Sequence, residues 1–206
     1  YKVQYRLINA KSYVPQNRQR IYIVGFREEN NFNFDDLIIP DISNGPKLSS
    51  VLHPEDGSEN FEEPYTIPDL AKVNEKYTIT DKLWDYLQMY EKKHRAKGNG
   101  FGFGLCKYDD VARTLSARYH KDGAEILIDQ GHANNPRRLT PRECARLMGF
   151  DKTGESNFII PVSDSQAYRQ FGNSVVVPVI NEIAKYMLPF INASSPIFQH
   201  ELRICA

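Results

Sequence analysis

An excess of charge of either sign is missing from this sequence: lysine plus arginine number 26 and aspartate plus glutamate number 26, for a formal net charge of zero. Simple DNA-binding domains are mostly basic, so this balance argues against a wholly basic nucleic-acid binder, although it leaves room for a local stripe. Cysteine is scarce. Cys106, Cys144 and Cys205 are the three, with no CxxC and no histidine at ligand spacing. That excludes a disulfide framework and a metal site of the zinc-finger kind, and it suits a reducing compartment. No apolar run reads as membrane-spanning and no secretory leader opens the chain, so a cytoplasmic protein without a membrane partner is expected. A leading methionine is missing too: Tyr1 opens directly into the strand-like YKVQYRLINA, and the chain reads as the back part of something longer.

What is present is ordinary globular material, 206 residues with 41% hydrophobic and 25% charged, enough for one sizeable domain or two small ones. Val3, Tyr5 and Leu7 alternate with polar residues, which predicts a half-buried strand. A turn at Val14-Pro15-Gln16-Asn17 leads to a second strand over 20–26. Two strands do not stand alone in water, so they read as the edge of a sheet. Residues 28–76 are acidic, proline-bearing and weakly periodic, a loop-rich connector with a short helix near 47–52. A helix over 80–94, capped by Thr80, carries Leu83, Trp84, Leu87 and Tyr90 on one side. Strand-like stretches at 113–119 and 124–128 flank the turn His120-Lys121-Asp122-Gly123. Thr140 caps a helix over 141–148 with proline at its first position, and further helical pieces follow at 166–171 and 175–191.

Several stretches could carry chemistry, each with a plainer alternative. Gln16-Asn17-Arg18-Gln19-Arg20 sets two arginines two residues apart at a strand entrance, where rigid forks could grip a phosphate or a base edge; the alternative is a solvated pair protecting an edge strand. Lys92, Lys93, Arg95 and Lys97 run into a glycine-rich stretch, Gly98-Asn99-Gly100-Phe101-Gly102-Phe103-Gly104, which lacks Walker character. It suits phosphate tracking or, more plainly, a surface loop. From Arg113 and Thr114 through Arg118, Lys121 and Asp122 come side chains able to read guanine, cytosine and phosphate, or simply an amphipathic strand. Cys144 lies on an apolar stripe with Leu139, Leu147 and Met148, the pattern of a buried hydrophobe. The Gly172-Asn173-Ser174 turn exposes amide and backbone groups before an apolar segment.

In this order the pieces resemble the second half of the DNA cytosine-C5 methyltransferases. Val14-Pro15-Gln16-Asn17-Arg18-Gln19-Arg20-Ile21 is similar to the family's QxRxR motif, Arg138-Leu139-Thr140-Pro141-Arg142-Glu143-Cys144 to its penultimate motif, and Gln170-Phe171-Gly172-Asn173-Ser174-Val175 to its last. The stretch between sits where the family keeps its target-recognition domain. Residues 93–102 and 113–127 further resemble enterobacterial methylases of the inner cytosine of CC(A/T)GG, while 28–76 share less and the 128–137 gap is shorter.

The resemblance implies an α/β fold, more narrowly an α+β fragment: the edge of an S-adenosylmethionine-dependent methyltransferase sheet (1–27), a small β-rich target-recognition domain (28–165), the last motif with a returning helix (166–192), and a tail (193–206). It implies Arg20 reaching a flipped cytosine and Arg18 holding the catalytic loop or a phosphate. Asn173, Ser174 and Val175 would close over the methionine end of S-adenosyl-L-methionine. Thr114 would touch a phosphate of double-stranded DNA. Asn99, Arg118, Lys121 and Asp122 would read bases, with Arg95, Lys97 and Arg113 beside them. The family's Pro-Cys-Gln nucleophile, Glu-Asn-Val acid and N-terminal cofactor turn do not occur here; leucine, glutamate and isoleucine precede Cys106, Cys144 and Cys205. The expectation is therefore a chain inactive alone, with a partner in an N-terminal catalytic half or separate subunit, and with uncovered apolar surface that makes it self-associate. A non-enzymatic DNA-binding remnant is the alternative.

Overall fold

The computed structural model describes residues 1–100 and 102–193. Phe101, Cys205 and the tail beyond Ala193 lie outside the described residues. Strands β1 (Lys2–Asn9) and β2 (Gln19–Phe26) pair antiparallel, from Lys2 opposite Phe26 to Asn9 opposite Gln19. Their connection is stiffened by Asn9, whose side-chain oxygen accepts from the Lys11 amide at 3.1 Å and the Arg18 amide at 3.2 Å.

The alternation of β1 is as expected, but its apolar side is the open one. Val3, Tyr5 and Leu7 face Gly25, Ile23 and Ile21 across the ladder. That face stays bare, with Tyr5 70% and Ile23 66% exposed. The other face is covered. Gln4 and Arg6 reach across to the backbone of the following segment, Gln4 Nε2 to the Phe32 carbonyl at 2.6 Å and Arg6 Nη1 to the Leu37 carbonyl at 2.6 Å. Ile8 and Val24 are buried there.

The 28–76 connector holds short 3-10 turns, including Leu48–Ser50 near the expected helix. Helix α1 (Asp81–Arg95) starts under the Thr80 hydroxyl, which accepts from the Leu83 amide at 3.3 Å. Beyond it, β3 (Leu105–Cys106), β4 (Leu127–Ile128) and β5 (Arg137–Arg138) form a small sheet, β3 parallel and β5 antiparallel to β4. The strand expected over 113–119 does not form. Side chains of Gln16 and Arg18 take the Leu115 amide and carbonyl, so the backbone there has no ladder to join. Of 124–128 only the last two residues pair.

Helix α2 (Pro141–Leu147) is buried along its whole length. Thr140 and Glu143 cap it reciprocally, which satisfies two amides that a buried helix end could not otherwise leave unbonded. Helices α3 (Asp164–Asn173) and α4 (Val177–Ala193) follow. The 164–192 stretch contains a window of mean hydropathy 1.4, long and apolar enough to span a membrane by length and composition alone, which corrects the expectation that no run approaches that length. The helix breaks at Ser174, and α4 uses its aromatic face on the hairpin layer. Phe190 lies 5.3 Å from Phe32 and 6.5 Å from Phe26, and the Tyr186 hydroxyl donates to the Asn33 carbonyl at 2.8 Å.

One hydrophobic core runs from Ile8 through Leu48, Leu115, Leu139 and Met148 to Ile183, so the sheet edge and the intervening region share their interior. Beside it lies a charged network around α2. Arg137 forks onto Glu143 at 2.8 and 2.9 Å, and His53 donates its amide to Glu143 at 3.0 Å. His53 Nδ1 meets Glu59 at 2.8 Å, and Glu59 pairs with Arg146 at 2.7 Å. Arg142 binds both Glu62 and Asp151.

Candidate nucleic-acid interface

The Gln16–Arg20 segment is where the chain's distant parts are joined. Ala112 donates to the Pro15 carbonyl at 2.9 Å, and the Asn17 amide donates back to Ala112 at 2.8 Å. The Thr114 hydroxyl donates to the Asn17 carbonyl at 2.7 Å. Gln16, wholly buried, accepts the Leu115 amide at 2.9 Å, and Arg18 Nη1 donates to the Leu115 carbonyl at 2.8 Å. Segment 112–115 is thereby laced to 15–18.

Arg18 does more than this. Its Nη2 donates to the Gly172 carbonyl at 3.1 Å and the Ser174 carbonyl at 3.0 Å. Its guanidinium is thus spent on backbone oxygens from two segments and does not project outward for a phosphate. Burial, and then the neighbouring charge of Arg20, holds its pKa below the ordinary value. Arg20, by contrast, is exposed and, among the described residues, donates to the adjacent Gln19 carbonyl at 2.8 Å.

The 116–123 turn follows directly. Tyr119 anchors its base: fully buried, it donates to the Ile126 carbonyl at 2.7 Å and accepts the Leu139 amide at 2.8 Å. Ser116 donates to Glu125 at 2.6 Å and accepts the Arg118 amide at 3.1 Å. Arg118, Lys121 and Asp122 are left exposed on a turn stiffened from beneath. Because β3 and β4 are parallel, the segments that enter them emerge at the same end of the sheet. The glycine run before β3 and the 117–123 turn before β4 are therefore neighbours, and the Gly104 amide donates to Ala124 at 2.8 Å. Arg113 is exposed beside Gly104.

Lys97 and Asn99 are exposed after α1. Arg95 is exposed but ion-paired to Glu91 at 2.8 Å, and Asn99 is held back toward His94, its amide donating to the His94 carbonyl at 3.0 Å.

At the other edge, α3 turns Gln166, Arg169, Gln170 and Asn173 to solvent. Ser174 is half-buried, its hydroxyl donating to the Phe171 carbonyl at 2.7 Å, and Val175 is exposed. An exposed carboxamide, a serine oxygen with free lone pairs and an apolar side chain fit one wall of a pocket for an amino-acid-like end of a cofactor. The two thiols among the described residues are not poised for attack: Cys144 is fully buried with its pKa driven up by burial, and burial pushes Cys106 up to about 11.

The sequence profile of the family described as C-5 cytosine-specific DNA methylase matches residues 1–188. The chain belongs to that family. A DNA-cytosine methyltransferase of Escherichia coli (strain K12) is 45% identical over 219 residues, covering 95% of this chain and 43% of its own length. The type II methyltransferase M.DsaV of Dactylococcopsis salina is 46% identical, covering 93% of this chain and 49% of its own. This methylase-family chain therefore spans about half the length of the curated relatives it matches. Among solved structures, the Dnmt2 methyltransferase of S. pombe shares the fold with a TM-score of 0.63 at 18% identity, over 92% of this chain and 57% of that one. The α/β methyltransferase class inferred from sequence holds, with the sheet of the intervening region reduced to three two-residue strands.

Gln16 and Gly172 stand inside the motifs, but the sequence alone does not mark what they do. Gln16 is wholly buried in the fold, where a side-chain amide must find backbone partners, and that burial is not visible in the sequence. Nothing local marks His53 or Glu59 as members of the α2 network.

Proposed function

We propose that this chain is the target-recognising and cofactor-closing part of a DNA (cytosine-5-)-methyltransferase acting on CC(A/T)GG in the bacterial cytoplasm. The observation that carries the reading is the lacing of 112–115 to 15–18. It supports one face on which the recognition turn, Arg20 and the Asn173–Ser174 corner work together. Arg118 and Lys121 suit guanine O6 and N7, and Asp122 suits cytosine N4. Lys97 and Arg113 suit the phosphates beside the site, and Asn99 suits a base edge. Arg20, free on its outer side, is assigned to the flipped cytosine, and Arg18 is a positioning residue. S-adenosyl-L-methionine, held at one end by Asn173, Ser174 and Val175, supplies the methyl group. The target sequence rests on the likeness of 93–102 and 113–127 to enterobacterial methylases of that site.

Methyl transfer needs a nucleophile and acid that this chain lacks, so a complementary catalytic part must dock. The bare face of Val3, Tyr5, Leu7, Ile21 and Ile23 suits that docking, as does the exposed stripe Ile180, Leu188 and Ile191 on α4. The test is methyl transfer from labelled S-adenosylmethionine to a CC(A/T)GG duplex, with the chain alone and with a separately made complementary part. Activity only in the mixture supports the reading. Activity from the chain alone, or from neither, overturns it.

A further inference from the structure

We propose that Arg18 couples the recognition turn to the cofactor corner, so that filling the cofactor site tightens the grip on cognate DNA and the reverse. The inference deepens the function proposed above and rests on it.

The two regions are far apart in sequence yet meet at one guanidinium. One arm of Arg18 holds the Leu115 carbonyl, one residue before the Ser116 hydroxyl that caps the turn, and the other holds Gly172 and Ser174. A second observation is independent of Arg18. A Cβ on Gly172 would overlap the Ser116 carbonyl and the Ala117 nitrogen, so the end of α3 is pressed against the backbone of the turn. Glycine is needed there for close approach. Asn173 and Ser174 therefore cannot shift toward a ligand without moving either Arg18 or Ser116–Ala117. On the turn, Ser116 also fixes Glu125 and the Arg118 amide, so displacement at its base is passed to the side chains assigned to base reading.

Lysine at position 18 would keep the charge but reach one carbonyl at a time, without the rigid fork. The coupling is a free energy shared by two sites, so it must appear equally in both directions.

The experiment uses the complete enzyme, this chain together with the catalytic part its relatives carry. Dissociation constants for a CC(A/T)GG duplex and a scrambled duplex are measured with and without saturating S-adenosylhomocysteine, for wild type and for Arg18→Lys. For the wild type we expect S-adenosylhomocysteine to tighten the cognate duplex roughly fivefold or more and the scrambled duplex little. In Arg18→Lys that factor should fall towards one, while S-adenosylhomocysteine binding without DNA is largely kept. A structural role alone would weaken both duplexes in parallel and leave the factor intact, which overturns the proposal. Because the variant could misfold, hydrogen exchange on the wild type gives a second reading. S-adenosylhomocysteine alone should slow exchange of the amides at 115–121, and unchanged exchange there overturns the coupling. Failure of the underlying function looks different: no S-adenosylhomocysteine binding, or no preference for the cognate duplex in the wild type.

Discussion

Replacing Arg137 by methionine tests whether the buried network around α2 is a paired set or a collection of independent bonds. Glu143 is fully buried, and burial alone would raise its pKa. The Arg137 fork overrides that, with help from His53 and the Thr140 amide, and holds the carboxyl at about 2 against an ordinary 4.5. That interval corresponds to about 3 kcal/mol. Deleting the guanidinium leaves an unpaired buried carboxylate, and removing one partner of such a pair costs about 3–5 kcal/mol. The sign with pH follows. In the wild type Glu143 stabilises the fold above its unfolded pKa, and this is lost as the pH falls through the folded value. In Arg137→Met the burial effect dominates, the folded pKa lies above the unfolded one, and acidification relieves the defect. Urea melts of the chain at low micromolar concentration should show a deficit of about 3–5 kcal/mol near neutral pH that shrinks toward about pH 5. Adding Glu143→Gln, which keeps an acceptor for the Thr140 and His53 amides, should recover much of the loss. A deficit under about 1 kcal/mol, or one that does not change with pH, would refute the argument.

Other outcomes follow from the same geometry. Arg118→Ala should weaken cognate DNA more than scrambled DNA by about 1–3 kcal/mol, read as a ratio of dissociation constants; equal losses would remove Arg118 from the base readers. Tyr5→Lys or Ile23→Lys should leave the melting temperature of the isolated chain nearly unchanged while reducing its self-association in sedimentation, since both side chains are largely exposed. The same variants should weaken reconstitution with the catalytic part, and unimpaired reconstitution would point to a different docking face. Wild-type stability should fall as the pH drops from about 4.5 toward 2, because Glu59 as well as Glu143 is held at about 2 in the fold. A stability flat across that window would mean those carboxylates are not paired in solution.

The sequence was most legible where local chemistry decides the outcome. Thr140 followed by Pro141 and Glu143 spells a capped helix start, and that helix forms with both reciprocal bonds. Thr80 before an apolar periodicity did the same for α1. It was least legible where a long-range partner decides. Residues 113–119 alternate as a strand should, and part of that alternation survives in burial, with Leu115 and Tyr119 buried and Arg118 between them exposed, although Arg113, which a strand would place on the side of Leu115, is exposed. Yet no strand forms, because the partners of the Leu115 backbone are side chains nearly a hundred residues earlier, at Gln16 and Arg18. Periodicity reports which face is buried and says nothing of what satisfies the backbone. The open face of β1 shows the complementary limit. The pattern of Val3, Tyr5 and Leu7 marks a buried side, and their apolar character is real, but among the described residues nothing covers them. An alternating pattern records burial in the assembly a sequence evolved in. Five large apolar side chains on one bare sheet face are therefore what the docking face proposed above for a catalytic part rests on, whereas the lacing at the buried Gln16 is seen directly in its hydrogen bonds.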